Sequence, residues 1–308
     1  MSRSHLSAVV TALFVTALWS LSWVLITRGL ENIKPLSFAG LRYVLAAMML
    51  SPLLFGRTAR AALAALPPKG WALLIGFGLL QYGVTQACQF TALTLLPPTT
   101  LSLMLAFTPA LVAVLGAMLL GERLGWVEVA GVAVFIGGAA VYFVSKSLPV
   151  GAAAGLVIAG LGVLANAGQT LLGRKVNRDS HLSPSLITAV SMAAGAAALL
   201  TTGVAVEGVP HLPPRAWLIV GWLAAVHTAL AFWLWNRAQR SLSALEASLI
   251  NNTMMIQIAV LAVMVLGERL TAMQVAGLVI AGLGVLWVQL ARMRRASREA
   301  AAASVVRP

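Results

Sequence analysis

The residues of this chain that could do chemistry are polar side chains inside otherwise apolar runs. In hydrocarbon such groups are costly unless they face a protein interior or a water-filled cavity. They recur at helical spacing. Trp19, Ser22 and Trp23 stand at i, i+3 and i+4 in one run. In another run Tyr82, Gln86 and Gln89 form one stripe, with Gln81, Thr85 and Gln89 as its neighbour. Asn166, Gln169 and Thr170 cluster in the same way, as do Ser248, Asn251, Asn252 and Met255. Amides, hydroxyls and indoles hold and orient a small organic molecule; they do not make or break its bonds. Aromatic walls suit organic cations and aromatic metabolites, because a desolvated cation–π contact reaches about 2 kcal/mol. Catalysis lacks its usual parts, with no Gly-x-x-x-x-Gly-Lys-Ser/Thr, no His-Glu-x-x-His and no Ser–His–acid arrangement. Cys88 is the single cysteine, which excludes a disulfide framework or a cysteine metal cluster within one chain. No cofactor and no metal is expected.

The elements that position these residues follow from composition. The chain is 60% hydrophobic and 9% charged, with a mean hydropathy of +0.93. Apolar runs of about 18–22 residues recur, each long enough to cross about 30 Å of hydrocarbon as a helix. Alternating segments of about 10 residues, the mark of a membrane β-barrel, do not occur. Ten spans are expected, near residues 6–26, 36–55, 71–92, 100–120, 126–145, 151–172, 183–203, 217–235, 244–266 and 273–290. The first exceeds a signal-peptide core and is expected to be retained. The net charge of +13 is spread between spans and over the tail, so it reports membrane topology and not nucleic-acid binding.

The spans fall into two halves. Leu120-Gly121-Glu122-Arg123-Leu124 returns as Leu266-Gly267-Glu268-Arg269-Leu270, an offset of 146 residues. The same ungapped register aligns Leu66-Pro67-Pro68 with Leu212-Pro213-Pro214 and Val129-Ala130-Gly131 with Val275-Ala276-Gly277. Such a duplication governs the whole reading. The halves are residues 1–148 and 149–292, followed by a basic tail at 293–308. With a cytoplasmic N-terminus, fifteen Lys and Arg lie inside and five outside, the outside set being Arg28, Lys34, Lys146, Arg215 and Arg269. The positive-inside rule therefore puts both termini in the cytoplasm. Five spans per half then insert the second half the other way up. The expected fold is an all-α integral membrane protein, ten transmembrane helices as two inverted five-helix repeats, with a site between the halves near the midplane.

The motifs carry a resemblance over nearly the whole chain. They are Trp19, Pro35-Leu36, Leu41-Arg42-Tyr43, Ala46-Ala47, Thr108-Pro109-Ala110-Leu111, the doubled Leu-Gly-Glu-Arg-Leu turn and Ala229-Leu230-Ala231-Phe232-Trp233-Leu234-Trp235-Asn236. In this order the chain resembles an EamA-type member of the drug/metabolite transporter superfamily. The resemblance implies a secondary transporter in the cell (inner) membrane that moves, and by preference exports, a small organic solute by alternating access. Uptake of a metabolite, or a non-transporting membrane scaffold, are the alternatives. One position departs from the family pattern: Met255 stands where the second half should repeat Pro109.

The substrate-binding candidates are Trp19, Trp23, Tyr82, Gln86, Asn166, Gln169, His227, Asn251 and Asn252. Several are repeat mates of polar residues: Ser20 of Asn166, Trp23 of Gln169, Gln81 of His227. The competing reading is that a single Ser, Asn or Gln only bonds a neighbouring helix. His227 is the one histidine within a span, and unperturbed imidazole changes charge near pH 6.5. If transport is proton-coupled, His227 is the residue to carry it; otherwise it stays neutral and donates one hydrogen bond. Arg42 either serves substrate binding or only pairs or snorkels, and the structural role is the preferred reading. Glu122 and Glu268 are read as fixing the turns before spans five and ten, where helix N-termini favour acidic groups. Trp71, Trp126 and Trp217 belong to interfacial belts. Gly131, Gly138, Gly277 and Gly284 allow close helix approach and could also serve a homodimer.

Overall fold

The computed structural model describes residues 3–31, 33–120, 125–144, 151–179, 182–210, 212–238, 241–242 and 244–305. Glu122 and Arg123, and with them the first Gly-Glu-Arg turn, lie outside the described residues, as do Lys146, His181 and His211. Every regular element described is helical: α1 (Arg3–Gly29), α2 (Pro35–Leu50), α3 (Arg57–Ala64), α4 (Pro68–Gly78), α5 (Thr85–Leu93), α6 (Pro98–Leu105), α7 (Thr108–Leu120), α8 (Trp126–Val144), α9 (Ala152–Asp179), α10 (Pro184–Glu207), α11 (Pro214–Ala224), α12 (Ala231–Ala238), α13 (Ala244–Leu266) and α14 (Ala272–Val305). A backbone without water must satisfy its own polar groups, and helices do so locally. Prolines start many of these helices. Pro35, Pro68, Pro98, Pro184 and Pro214 each occupy the first turn, where a missing N–H costs nothing.

Among the described residues nine helices are long and apolar enough to cross a membrane, not the ten expected. The remaining expected span, the fourth, is described as a shorter apolar helical stretch, Pro98–Val112, and it is interrupted. Pro109 cannot donate a bond to the carbonyl of Leu105 and its ring crowds that carbonyl, so α6 stops at Leu105 and α7 restarts at Thr108. At the matching position of the second half, Met255 leaves α13 unbroken. The third and eighth spans differ from plain α-helices in a way the sequence did not announce. Leu79–Val84 between α4 and α5, and Ala225–Leu230 between α11 and α12, are π-helical. These two segments are 146 residues apart, residue for residue.

Packing repeats with the same offset. α2 lies along α10, and α8 along α14, each pair being counterparts in the two halves. α1 packs on α13 as α9 packs on α6 and α7; α1 packs on α11 and α12 as α9 packs on α4 and α5. The α8–α14 contact shows why the glycines are there. A Cβ at Gly138 would sit 2.3 Å from the Ala281 backbone nitrogen, and one at Gly284 would sit 2.4 Å from that of Phe135. Gly131 meets Val288 while its mate Gly277 meets Tyr142, the mate of Val288. All four glycines are thus used in the α8–α14 contact. Gly138→Leu is expected to cost about 1–3 kcal/mol by overpacking, read as a lower melting temperature. Gly137→Leu, whose added Cβ meets nothing within 4 Å, should leave it unchanged.

Carboxylates tie the helix ends. Glu207, last residue of α10, accepts from the backbone N–H of Leu36 (2.9 Å) and Ser37 (2.8 Å) and from the Ser37 hydroxyl (2.7 Å), covering the open first turn of α2. α8 and α14 begin with equivalent caps. The Gly125 amide donates to Glu128 (2.7 Å), and at the offset position the Thr271 amide donates to Gln274 (3.0 Å) while the Gln274 amide donates to the Thr271 hydroxyl (3.2 Å). The cap of α14 is therefore Gln274 and not Glu268, contrary to the expectation from sequence. Glu268 instead accepts from the Thr99 hydroxyl at 2.7 Å, in the first turn of α6. Large apolar side chains on the outer face, among them Phe14, Ile136, Leu164, Leu218 and Leu283, are exposed, as suits a protein surrounded by lipid.

Candidate functional site

The two halves enclose a cavity of about 650 Å³. Its walls come from α1, α2, the π-containing third span, the broken fourth span, α9, α12, α13 and α14. Of the expected residues, Trp19, Trp23, Gln86, Asn166, Gln169, Asn251 and Asn252 line it. On the α9 side they form a network. Asn166 Nδ2 donates to the Thr108 hydroxyl at 3.3 Å, Gln169 Nε2 donates to Asn166 Oδ1 at 2.7 Å, and the Thr170 hydroxyl donates to the Asn166 carbonyl at 2.7 Å. Thr108 opens α7, so this network holds the restart of the broken helix at the cavity wall. Opposite it, Trp19 packs between Phe232 (centroids 5.4 Å) and Trp235 (5.3 Å).

Tyr82 and His227 do not line the cavity. Tyr82 is 3% exposed and packs against Tyr43 and Phe232, with centroids 5.6 and 6.1 Å away. The reason is the π-helical segment. A π turn carries one more residue than an α turn, so the cavity stripe runs Gln81, Gln86, Gln89, with a first step of five residues. An α-helical reading of that stretch puts Tyr82 there instead. His227 sits in the equivalent π segment and is 1% exposed. Its Nδ1 lies 2.6 Å from the Leu18 carbonyl. A carbonyl only accepts, so Nδ1 carries the proton and His227 ties the eighth span to α1. The polar mates Ser20 and Asn166 also differ in role: Ser20 donates to Gln257 (2.9 Å), which donates on to Thr16 (3.2 Å) and Thr253 (2.9 Å), joining α1 to α13.

Three amides of the lining stand out among the described residues: Asn252 is a sequence candidate, Gln81 belongs to a polar stripe of the sequence, and Gln289 was missed. Gln81, Gln289 and Asn252 each present a buried side-chain polar atom without a hydrogen-bond partner, and all three line the cavity. Gln289 carries no sequence signal beyond its place near the end of an apolar run. Arg42 does not snorkel, and among the described residues it has no carboxylate partner. It is 4% exposed, lines the cavity, donates from Nε to the Thr228 hydroxyl (2.9 Å) and lies 5.4 Å from the Tyr43 ring centroid.

The profile of the EamA-like transporter family matches the chain twice, over residues 6–144 and 153–290. The chain belongs to this family. An EamA-like transporter is a multi-pass membrane protein that moves small solutes and is not an enzyme, and the nine long apolar helices agree with that. Within curated proteins, the chain is 28% identical over 286 residues to the "Probable amino-acid metabolite efflux pump" of Salmonella typhimurium strain LT2, covering 88% of this chain and 92% of that protein. A protein of the same description from Escherichia coli K12 is 36% identical over 130 residues, which is 42% of this chain and 40% of that one. A crystal structure shares the fold at a TM-score of 0.66 and 21% identity, covering 92% of this chain and 98% of its own.

In this EamA-like transporter His227→Gln is expected to keep at least half of wild-type transport, because a glutamine can still donate a bond toward Leu18 and the cavity wall is untouched. Counterflow in liposomes with and without a pH gradient measures it. Loss of only the gradient-driven part in the variant would return His227 to a proton-carrying role.

Proposed function

We propose that the chain is a secondary carrier of the cell (inner) membrane that exports small amino-acid-like metabolites by alternating access. Ten spans in two inverted halves, residues 1–148 and 149–292, form it, with both termini in the cytoplasm. The observation that carries this reading is the cavity between the halves, built from both, with buried polar atoms that no protein group satisfies. A scaffold has no use for such groups, since each costs about 1–3 kcal/mol when left unpaired. A solute that enters can meet them. The packing that repeats with the 146-residue offset supports exchange of conformations between halves, as in other inverted-repeat carriers. The broken fourth span supports it further, because interrupted helices in membranes occur where they line a cavity. Export rests on the printed description of the relatives from Salmonella and Escherichia coli.

The present arrangement corresponds to one access state. α13 packs against α6, and the Thr99–Glu268 bond ties the start of α6 to the end of α13; in this carrier reading that contact is the closed gate. Toward the other end Asn251 lines the cavity and is exposed. The test is an unbiased metabolite comparison of cells and medium with and without the protein, followed by counterflow of the solutes found. Solutes should accumulate in the medium of expressing cells and exchange in liposomes. No change in any solute, or accumulation inside cells only, would contradict export.

A further inference from the structure

We propose that Arg42 is the anion-binding residue of the cavity, and that the solutes carried are monocarboxylates of the α-amino-acid type. The inference rests on the carrier reading and adds to it the chemistry of the ligand. A guanidinium stays charged and has five N–H donors. Arg42 spends Nε on the neutral Thr228 hydroxyl, and one Nη2 hydrogen reaches the His227 carbonyl only at 3.4 Å. Tyr43 and Phe90 add ring faces at 5.4 and 6.0 Å. None of these supplies negative charge. The described ion pairs, His5–Glu246 and Arg28–Glu31, lie elsewhere.

The eight Asp and Glu of the whole chain have no described member placed to help. Among the described residues Glu31, Glu128, Asp179, Glu207, Glu246 and Glu268 stand at helix ends or turns; Glu299 belongs to the basic tail of the sequence and Glu122 lies outside the described residues. A buried cation without a counter-ion is expensive in a low-dielectric surround. That cost recedes when an anion occupies the cavity beside it, and a carboxylate matches the guanidinium fork with two parallel bonds. Arg42 is the single charged residue among those lining the cavity. One cation balances a monoanion and leaves a phosphate dianion half-compensated. The unpaired amide atoms of Gln81, Asn252 and Gln289 provide the remaining polar contacts. As assigned, Gln81 and Gln289 present oxygens, which accept from an ammonium group. Trp19, Trp23 and Phe232 leave apolar wall for a side chain.

The experiment is counterflow in liposomes with a panel of L-amino acids, each paired with its carboxamide, which keeps the ammonium and side chain but removes the negative charge. Wild-type protein should carry at least one acid about tenfold or more better than its amide, since a charge-assisted bond exceeds a neutral one. Arg42→Gln should lose that preference and Arg42→Lys should keep part of it, with melting temperature monitored for all three proteins. If Arg42→Gln fails to fold, the acid-to-amide ratio of wild type still decides. Equal transport of acids and amides, or an unchanged preference in a folded Arg42→Gln, overturns the proposal. So does the finding that solutes exported in cells lack a carboxylate. Absence of transport for every solute would instead overturn the carrier reading itself.

Discussion

Asn166→Leu is expected to lower transport at least tenfold while the protein remains folded. Leucine has the branching and heavy-atom number of asparagine, and Asn166 borders the cavity, which leaves room for the bulkier methyl groups. What disappears is the centre of a network. Thr108 loses the donor at 3.3 Å, and Gln169 Nε2 loses its 2.7 Å acceptor, retaining a 3.3 Å contact to the Thr170 hydroxyl. Each buried polar group left unpaired costs about 1–3 kcal/mol, and about 1.4 kcal/mol is a factor of ten. Because Thr108 begins α7, the loss falls on the restart of the broken helix, the piece of wall most dependent on side-chain bonds. Counterflow rate and melting temperature of the same preparation check it. Full transport in a folded Asn166→Leu protein would show that the network is only glue between helices.

Glu268→Ala should open the closed end of the cavity. Thr99 is fully buried in the first turn of α6, and its hydroxyl donates to the Glu268 carboxylate at 2.7 Å. Gly267, at φ +70°, ends α13 and turns the chain so that Glu268 reaches Thr99. A bond to a charged acceptor contributes about 1.5–3 kcal/mol, so its loss should shift the balance between access states by roughly tenfold to a hundredfold. Ser102, one turn further along α6, lines the cavity and is buried. In a Cys88→Ser background, Ser102→Cys should react faster with a membrane-impermeant thiol reagent added at the Glu268 face once Glu268→Ala is introduced. Thr99→Val should do the same, and the double variant should add little to either, as expected for two ends of one bond. An unchanged labelling rate would mean that apolar packing of α6 on α13 closes this end without the bond.

Much of this was legible in the sequence because its signals are local or periodic. Apolar runs marked the nine long apolar helices, and the 146-residue echo marked Gly131 with Gly277 and Gly138 with Gly284 as mates; in the α8–α14 contact Gly131 meets Gly284 and Gly138 meets Gly277. Seven site candidates line one cavity because helical spacing brings polar residues of one run to one face. What failed depended on backbone form or on distant partners. Tyr82 was misplaced because a π segment has no residue signature in Leu79–Val84, yet it turns the face by one residue. His227, the mate of cavity-lining Gln81, sits in the equivalent π segment but is held at the Leu18 carbonyl, a partner that no local pattern announces. Glu268 is acidic and near the start of α14, whereas the cap falls to the residue three after the N-cap Thr271, which is Gln274. Glu207 covering α2 joins residues far apart in the chain and left no local trace. Arg42 could have been read better: the absence of any mid-span Asp or Glu is visible in the sequence and already denies it a partner.

In the proposed carrier the cavity between the halves is the path, open to each face of the membrane in turn. Asn252 lines that cavity on α13 and carries a buried amide nitrogen without a partner. A single cysteine in its place, in the Cys88→Ser background, can be tested in oriented vesicles with an impermeant thiol reagent added to one face at a time. The account predicts labelling from both faces, with locking of the Thr99–Glu268 end by a crosslink abolishing labelling from that face alone. Labelling confined to one face under every condition, in a variant that still transports, would contradict it.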